Sequence, residues 1–211
     1  MADFTAKEVQ ALRQETGAGM MDAKRALEEG GGDPEGAKKI LREQGLADAK
    51  KRSDRAQTQG AIGSYLHQQS GRPVIGVLVE LAAETDFVAK SDDFQRVASD
   101  IAMHVAAAKP RWVRIEDVDE EVLNVERGFI AAQARNEGRP DHIIEKIVEG
   151  KIGSFYEDYV LYEQAFVKSE QFEGTVGALV QQLAAAMGEN IGVARFARLQ
   201  VGEAVSESEK T

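Results

Sequence analysis

The sequence predicts an α+β fold, with a three-helix N-terminal bundle followed by a core that contains an antiparallel sheet and a helical hairpin. Three short helical patterns, separated by glycine-rich breaks, occupy the N-terminal quarter of the chain. Two β-branched runs joined by a polar segment come next, and helical patterns and one last strand pattern follow. Strands and helices that are grouped rather than alternating are typical of α+β proteins.

Composition divides the chain into an N-terminal domain at 1–46, a linker at 47–59, a core domain at 60–202 and a polar, disordered tail at 203–211. The linker is polar, and the formal charge changes across it. Residues 1–55 carry eleven basic and eleven acidic side chains, so the whole net charge of −10 lies beyond them. A change of charge at a polar segment supports a domain boundary there.

Capping signals predict the ends of the N-terminal helices. Thr5 and Glu8 have the spacing of a capping box and predict the start of the first helix. Asp33 as N-cap and Pro34 as first residue predict the start of the third, and Gly45 is expected to end it. The second helix is predicted between them at 20–29, with Met20, Ala23 and Leu27 on one face.

Two strands are predicted at 61–67 and 73–81, joined by a five-residue hairpin connection at 68–72. The second strand contains Val74–Val79, which is apolar on both faces. Such a run predicts a central strand that is packed on both sides or covered by another chain. We expect a homodimer formed through this sheet. The alternative is that a helical hairpin at 119–149 folds back over the same face.

The core helices are predicted from their apolar periodicity. A helix capped by Ser91 ends before Pro110, and two more at 119–137 and 141–149 form the hairpin. Gly150 is expected to end the second hairpin helix. The remaining predicted features are inward side chains Val122, Val125 and Phe129, a helix at 175–187 and a strand at 191–201.

The connection Thr85–Lys90 carries a phenylalanine where loops usually carry small polar residues. Phe87 lies beside Asp86, between the second strand and the helix that begins after Ser91. A large apolar side chain next to a carboxylate, on a loop held at both ends, is suited to entering another molecule. The alternative is that Phe87 packs beneath its own helix and Asp86 is a solvated acid.

The sequence offers little for catalysis or metal binding. It contains no cysteine, which excludes disulfides, thiolate catalysis and cysteine-based zinc sites. His67, His104 and His142 lack metal-ligand spacing, and helical periodicity places His104 near a buried face, which favours a hydrogen-bonded core histidine. The glycine-rich run at 31–38 departs from the spacing of a phosphate-binding loop. We therefore predict no enzymatic activity, no cofactor and no metal.

Net charge and hydropathy limit the classes of partner that the protein can bind. The net charge of −10 argues against nucleic-acid binding, because phosphate neutralisation needs clustered Lys and Arg. The N-terminus lacks the basic and apolar regions of a signal peptide, and no run approaches the roughly 20 apolar residues of a membrane span. We expect a cytoplasmic protein that does not bind membranes.

Two sequence motifs carry a resemblance to a known family. Leu12-Arg13 followed by Thr16–Leu27, which reads TGAGMMDAKRAL, is similar to the N-terminal signature of the bacterial elongation factor Ts family. Glu84–Lys90, which reads ETDFVAK, is similar to the second signature. Further similar stretches are Ile101–Pro110, Glu145–Gly150 and Gly188–Ile191. The resemblance covers nearly the whole chain and is closest to the short members, which have one core half instead of two.

The resemblance implies a guanine-nucleotide exchange factor for elongation factor Tu, the GTPase that delivers aminoacyl-tRNA to the ribosome. It also implies an N-terminal domain similar to ubiquitin-associated domains. A competing interpretation is a non-enzymatic adaptor that binds other proteins through its helical bundle, although such adaptors lack the Asp86-Phe87 loop. The implied contacts near the partner's magnesium and phosphate site are Thr85, Asp86, Phe87 and Val88; those of the N-terminal domain are Arg13, Met20, Met21 and Lys24, and His104 is a further candidate.

Overall fold

The computed structural model describes residues 4–16 and 18–203, and within them the chain mixes helices with one three-stranded sheet. The predicted α+β class with an antiparallel sheet agrees with this architecture. None of the helices in the described ranges is long and apolar enough to cross a membrane. The elements are α1 (Ala6–Thr16), α2 (Met20–Glu29), α3 (Pro34–Arg52), β1 (Gln59–Gln69), β2 (Arg72–Ala83), α4 (Asp86–Ala89), α5 (Asp92–Ala108), a 3-10 turn (Ile115–Asp117), α6 (Glu120–Asn136), α7 (Asp141–Tyr159), α8 (Val176–Met187) and β3 (Gly192–Gln200).

The chain forms two compact units, each assembled from separate segments. The predicted domain boundary at 47–59 stays a prediction, and the predicted tail at 203–211 lies outside the described residues except for Glu203. Among the described residues, the first unit contains 4–16, 18–60, 82–94 and 180–192, and the second contains 61–81, 95–179 and 193–203.

In the first unit, α1, α2 and α3 enclose a small apolar core, and the predicted caps are present. The Glu8 backbone N–H donates to the Thr5 hydroxyl at 3.3 Å, and the Thr5 backbone N–H donates to the Glu8 carboxylate. The Asp33 carboxylate accepts a hydrogen bond from the Gly36 N–H at 2.8 Å. The buried core residues are Val9, Leu12, Ala23, Ala26, Leu27 and Ala37.

The prediction that Gly45 ends the third helix is wrong, since α3 continues to Arg52 and includes part of the predicted linker. A Cβ at Gly45 would lie 3.1 Å from the Cβ of Ala185 on α8. Few real Cβ atoms come closer than this, so Gly45 allows the two helices to approach closely. Gly45 therefore allows close packing of α3 against α8, and it does not end α3.

In the second unit, the sheet has the order β1-β2-β3, so the predicted central strand is central. The hairpin turn is tighter than the predicted five residues, because Ser70 and Gly71 both have positive φ, at 51° and 81°. Two successive residues of this kind form the two-residue turn that matches the twist of paired strands. One face of β2 is buried, whereas Leu78 on the other face is 54% exposed.

The helical hairpin is present as α6 packed on α7. Of the three side chains predicted to face inward, Val122 packs against a buried cluster, but the prediction is wrong for the other two. Val125 is 69% and Phe129 is 66% exposed, while Leu123, Ile130 and Ala134 are buried. Both sets of residues have helical spacing, so the sequence pattern alone does not distinguish them. Packing against α7 selects the second set.

The prediction that Gly150 ends the second hairpin helix is also wrong, because α7 continues to Tyr159. Ile152 and Phe155 are buried and extend the face that Ile144 begins. Burial of these side chains offsets the cost of about 1 kcal/mol that a glycine imposes inside a helix.

Candidate functional site

The segment after β2 forms one turn of helix, where the sequence predicted only a connecting loop. This turn, α4, begins after Thr85, whose hydroxyl accepts a hydrogen bond from the Val88 N–H at 3.4 Å. Ser91 then ends the turn and caps α5, as predicted, because its hydroxyl accepts from the Phe94 N–H. The backbone of the turn is thus fixed at both ends.

The side chains of α4 point in two directions. Phe87 is 84% exposed, and Asp86 is also exposed. Val88 and Ala89, by contrast, are 6% and 5% exposed. The alternative in which Phe87 packs beneath its own helix is therefore wrong. Val88, predicted among the partner contacts, is buried within the protein and anchors the turn that presents Phe87.

Asp86 is paired within the same turn. Its carboxylate lies 2.6 Å from the ammonium of Lys90, one helical turn further on. The hydrogen bond and the charge of Lys90 lower the pKa of Asp86 below its ordinary value. Asp86 is therefore ionised at neutral pH, and it presents a negative charge beside the exposed ring of Phe87.

The base of the turn is held by Glu189, which follows α8 in the same compact unit. Its carboxylate accepts hydrogen bonds from the backbone N–H groups of Glu84 and Thr85, each at 3.1 Å, and from the Thr85 hydroxyl at 2.5 Å. The backbone N–H of Asn190 donates in return to the Glu84 carboxylate at 2.6 Å. Reciprocal hydrogen bonds therefore join residues 84–85 to residues 189–190, which are distant in the sequence.

The Asn190 side chain extends this network to the segment after α3. Its amide donates to the backbone carbonyls of Ser53 at 2.9 Å and Arg55 at 2.7 Å. The Arg55 guanidinium lies 3.6 Å from the Glu84 carboxylate. Sequence reasoning assigned no role to these residues. The available signal was the Gly188–Ile191 motif, where two polar residues stand directly before a strand.

The predicted N-terminal contacts lie on the surface of the first unit. Met20 is 47% and Met21 is 73% exposed, and Arg13 and Lys24 are exposed as well. Met20 does not share the burial of Ala23 and Leu27, although the sequence places them on one helical face. The surface of α1 and α2 thus presents two methionines near basic side chains.

His104 belongs to the second unit and is fully buried. Its Nδ1 accepts from the Val167 N–H at 3.3 Å, and its Nε2 lies 3.0 Å from the Gln164 side-chain oxygen. The structure therefore favours the hydrogen-bonded core histidine over the partner contact.

Comparison with known proteins places this arrangement in a family. The family model described as "Elongation factor TS" matches residues 49–203, which include the α4 turn and its Glu189 support. The chain is 49% identical over 207 residues to elongation factor Ts of Carboxydothermus hydrogenoformans, covering 98% of this chain and 93% of that relative. The chain belongs to the elongation factor Ts family.

Other elongation factor Ts relatives extend the likeness over both motifs. That of Geotalea uraniireducens is 50% identical over 206 residues, covering 98% of this chain and 93% of the relative. That of Thermosipho melanesiensis is 48% identical over 200 residues, covering 95% of this chain and all of the relative. The family model begins at residue 49, whereas these relatives also match the N-terminal bundle.

Proposed function

We propose that this protein is a guanine-nucleotide exchange factor for elongation factor Tu. In this proposal the α4 turn enters the GTPase domain of the partner near its magnesium ion and nucleotide phosphates. The observation that carries the proposal is Phe87, an aromatic ring that is 84% exposed on a fixed turn beside an ionised carboxylate. Family membership supplies the identity of the partner.

The exchange activity needs no covalent chemistry, because it follows from linked equilibria. If the factor binds the nucleotide-free GTPase more tightly than the GDP-bound form, GDP must bind the complex correspondingly more weakly. A coupling of about 4 kcal/mol changes the affinity roughly a thousandfold. Phe87 would supply it by wedging apart packed elements, and Mg²⁺ is sensitive to small displacements because it requires strict coordination geometry.

The N-terminal bundle would form a second contact on the same GTPase domain. Arg13, Met20, Met21 and Lys24 present exposed sulfur and basic groups on α1 and α2. Methionine is flexible and polarizable, which suits it to an interface that must adapt. We propose that the bundle resembles ubiquitin-associated domains and that it acts as a tethered second binding module within the cytoplasm.

We further propose that the active form is a homodimer joined through the sheet. One face of the sheet in the second unit is apolar and exposed, so the alternative in which the hairpin covers it is wrong. A second copy would bury this face by a two-fold axis. The side chains of the face are Ile62 (61% exposed), Leu66 (60%), Leu78 (54%), Leu199 (75%) and Val201 (60%).

The test of the exchange function follows the release of a fluorescent GDP analogue from elongation factor Tu. We expect the protein to accelerate release, and Phe87→Ala to reduce the acceleration by about thirtyfold, the effect of losing an interface anchor worth about 2 kcal/mol. Phe129→Ala is a matched control, because Phe129 is also an exposed phenylalanine, at 66%, but lies on α6. This variant should retain full activity.

Three outcomes would contradict the proposal. Stoichiometric protein that leaves the release rate unchanged would exclude exchange activity, and binding without acceleration would favour the adaptor. Equal losses in the Phe87 and Phe129 variants would show that the effect is not specific to the α4 turn.

A further inference from the structure

Glu189 lies 104 positions after Thr85 in the sequence, yet its carboxylate accepts three hydrogen bonds at the base of the turn. Three donors converge on its carboxylate: the N–H groups of Glu84 and Thr85 and the hydroxyl of Thr85. Hydrogen bonds to a charged acceptor are stronger than neutral ones. Glu189 is partly buried, as is Glu84, which supplies one of the donors, whereas Thr85 is exposed.

The Thr85 hydroxyl connects the Glu189 carboxylate to the turn through two hydrogen bonds. It donates its only proton to the Glu189 carboxylate, at 2.5 Å between the two oxygens. Its lone pairs are then directed towards the Val88 N–H, which donates to the same oxygen at 3.4 Å. The carboxylate therefore fixes the direction of the hydroxyl, and the hydroxyl caps the helix that carries Asp86 and Phe87.

The turn needs this external support. An isolated helix of four residues is unstable in water, because nucleation is unfavourable and few backbone hydrogen bonds repay it. Phe87 itself contributes little packing, since 84% of its surface is exposed. Burial of Val88 and Ala89 holds the inner side of the turn, whereas the hydrogen bonds to Glu189 are made at Glu84 and Thr85, where the turn begins.

We propose that Glu189 is a positioning residue for nucleotide exchange, which holds the α4 turn in the conformation that presents Asp86 and Phe87 to the GTPase. This inference rests on the proposed function and deepens it. A preformed turn loses less conformational entropy on binding than a flexible one. If only a fraction of the molecules hold the turn formed, the apparent affinity falls by that fraction.

Asn190 reinforces the same arrangement from the other side. Its backbone N–H donates to the Glu84 carboxylate at 2.6 Å. Its side-chain amide donates to the carbonyls of Ser53 and Arg55. The base of the turn is thereby tied to the segment that follows α3, within one compact unit.

The first experiment measures the turn directly, without the GTPase. Glu189→Gln removes the charge and leaves one acceptor oxygen for three donors. We expect amide hydrogen exchange at Val88, Ala89 and Lys90 to accelerate by about tenfold or more, the effect expected for losing hydrogen bonds to a charged group. Amides in the middle of α2 should exchange at an unchanged rate, which also reports that the variant is folded.

A pair of substitutions at Thr85 provides the matched control. Thr85→Ser keeps the hydroxyl that donates to Glu189 and accepts from Val88, so the exchange rates of the turn should stay within about twofold of the unsubstituted protein. Thr85→Val has nearly the same shape but lacks the hydroxyl. Its turn amides should exchange about as fast as those of Glu189→Gln.

The second experiment separates positioning from general stability. We expect Glu189→Gln to slow nucleotide exchange on elongation factor Tu in proportion to the fraction of molecules that lose the turn, by about tenfold where one molecule in ten keeps it formed. In a background that carries Asp86→Ala and Phe87→Ala, the same substitution should cause no further loss. Such non-additivity is the signature of a residue that acts through others.

The two experiments have distinct failures. Unchanged amide exchange in Glu189→Gln, or an equal loss of activity with and without the side chains of Asp86 and Phe87, would overturn the positioning role. No acceleration of GDP release by the unsubstituted protein would overturn the proposed function, while the amide measurements would still decide whether Glu189 holds the turn.

Discussion

At the scale of single residues, His104 shows how a buried polar group is satisfied without a partner protein. The Val167 N–H donates to its Nδ1, so that nitrogen carries no proton, and the proton on Nε2 is donated to the Gln164 oxygen. The Gln164 amide donates in turn to the Asp158 carbonyl at 2.7 Å. Burial lowers the pKa of His104, because the charged imidazolium is poorly solvated there.

This arrangement predicts a specific loss of stability in acid. The folded-state pKa of His104 lies below the unfolded value of about 6.5, so the unfolded chain binds the proton first as the pH falls. The contribution of His104 is complete above about pH 6.5 and is lost as the pH falls through the folded pKa. Over that window the free energy of unfolding should fall by about 1.4 kcal/mol per pH unit.

The measurement is urea denaturation between pH 7.5 and 5 for the natural protein and His104→Gln. The variant cannot titrate at this position, so the difference between the two pH slopes isolates His104 from the other ionisable groups. We expect the natural protein to have the steeper slope. Parallel slopes would show that His104 stays equally protonated in both states.

Predictions for single residues succeeded where a local contact determines the structure, and they failed where packing against distant segments determines whether a side chain is exposed. The Thr5–Glu8 capping box involves groups three residues apart, and it is present as predicted. Exposure depends on distant segments: helical spacing alone did not reveal that Met20 and Phe129 are exposed. Glu189 could not be assigned to the turn from the sequence, since its hydrogen bonds span about half of the chain.

At the scale of elements, glycine has opposite meanings at different positions. Gly188 ends α8 with a positive φ of 71°, which other residues rarely adopt, and the sequence predicted this end correctly. Gly45 and Gly150 were expected to end helices but lie within them. The sequence does not distinguish these cases, because the outcome depends on packing: Gly45 lies against Ala185, and the buried Ile152 and Phe155 follow Gly150.

Two glycines in the second unit predict opposite effects of the same substitution. A Cβ at Gly63 on β1 would lie only 2.1 Å from the Ala98 carbonyl oxygen on α5, so Gly63→Ala forces the strand and helix apart. A Cβ at Gly128, inside α6, would meet nothing within 4 Å. We expect Gly63→Ala to destabilise the protein by about 3 kcal/mol and Gly128→Ala to stabilise it by about 1 kcal/mol.

Thermal and urea unfolding of the two variants test this contrast. Each variant is the control for the other, since both add one methyl group at a glycine in the same compact unit. The short distance between strand and helix causes the expected loss of stability in Gly63→Ala, and the lower backbone entropy of the unfolded chain causes the expected gain in Gly128→Ala. Destabilisation of similar size in both variants would contradict the explanation.

At the scale of the whole molecule, the exposed face of the sheet is the feature that a single chain leaves unexplained. Its five apolar side chains come from all three strands or their immediate ends, and Glu80 pairs with Arg195 at 2.6 Å on the same face. Contiguous apolar faces of this kind are unusual on monomers. The apolar content of Val74–Val79 predicted a covered strand, but the sequence could not show which face a second chain would cover.

The proposed homodimer can be tested by placing a charge at its centre. Leu78 lies on β2, the central strand, and is 54% exposed, so Leu78→Lys should fold normally but bury two ammonium groups near the two-fold axis of the dimer. An obligate interface of on the order of 2,000 Å² would not tolerate these unpaired charges. Val125→Lys, at a site 69% exposed on α6, is the matched control.

In sedimentation equilibrium at micromolar concentration, the natural protein and the control should have about twice the 23.0 kDa mass of one chain, and Leu78→Lys should have the mass of one. A natural protein of 23.0 kDa, or a dimer that survives Leu78→Lys, would refute dimerisation through this face.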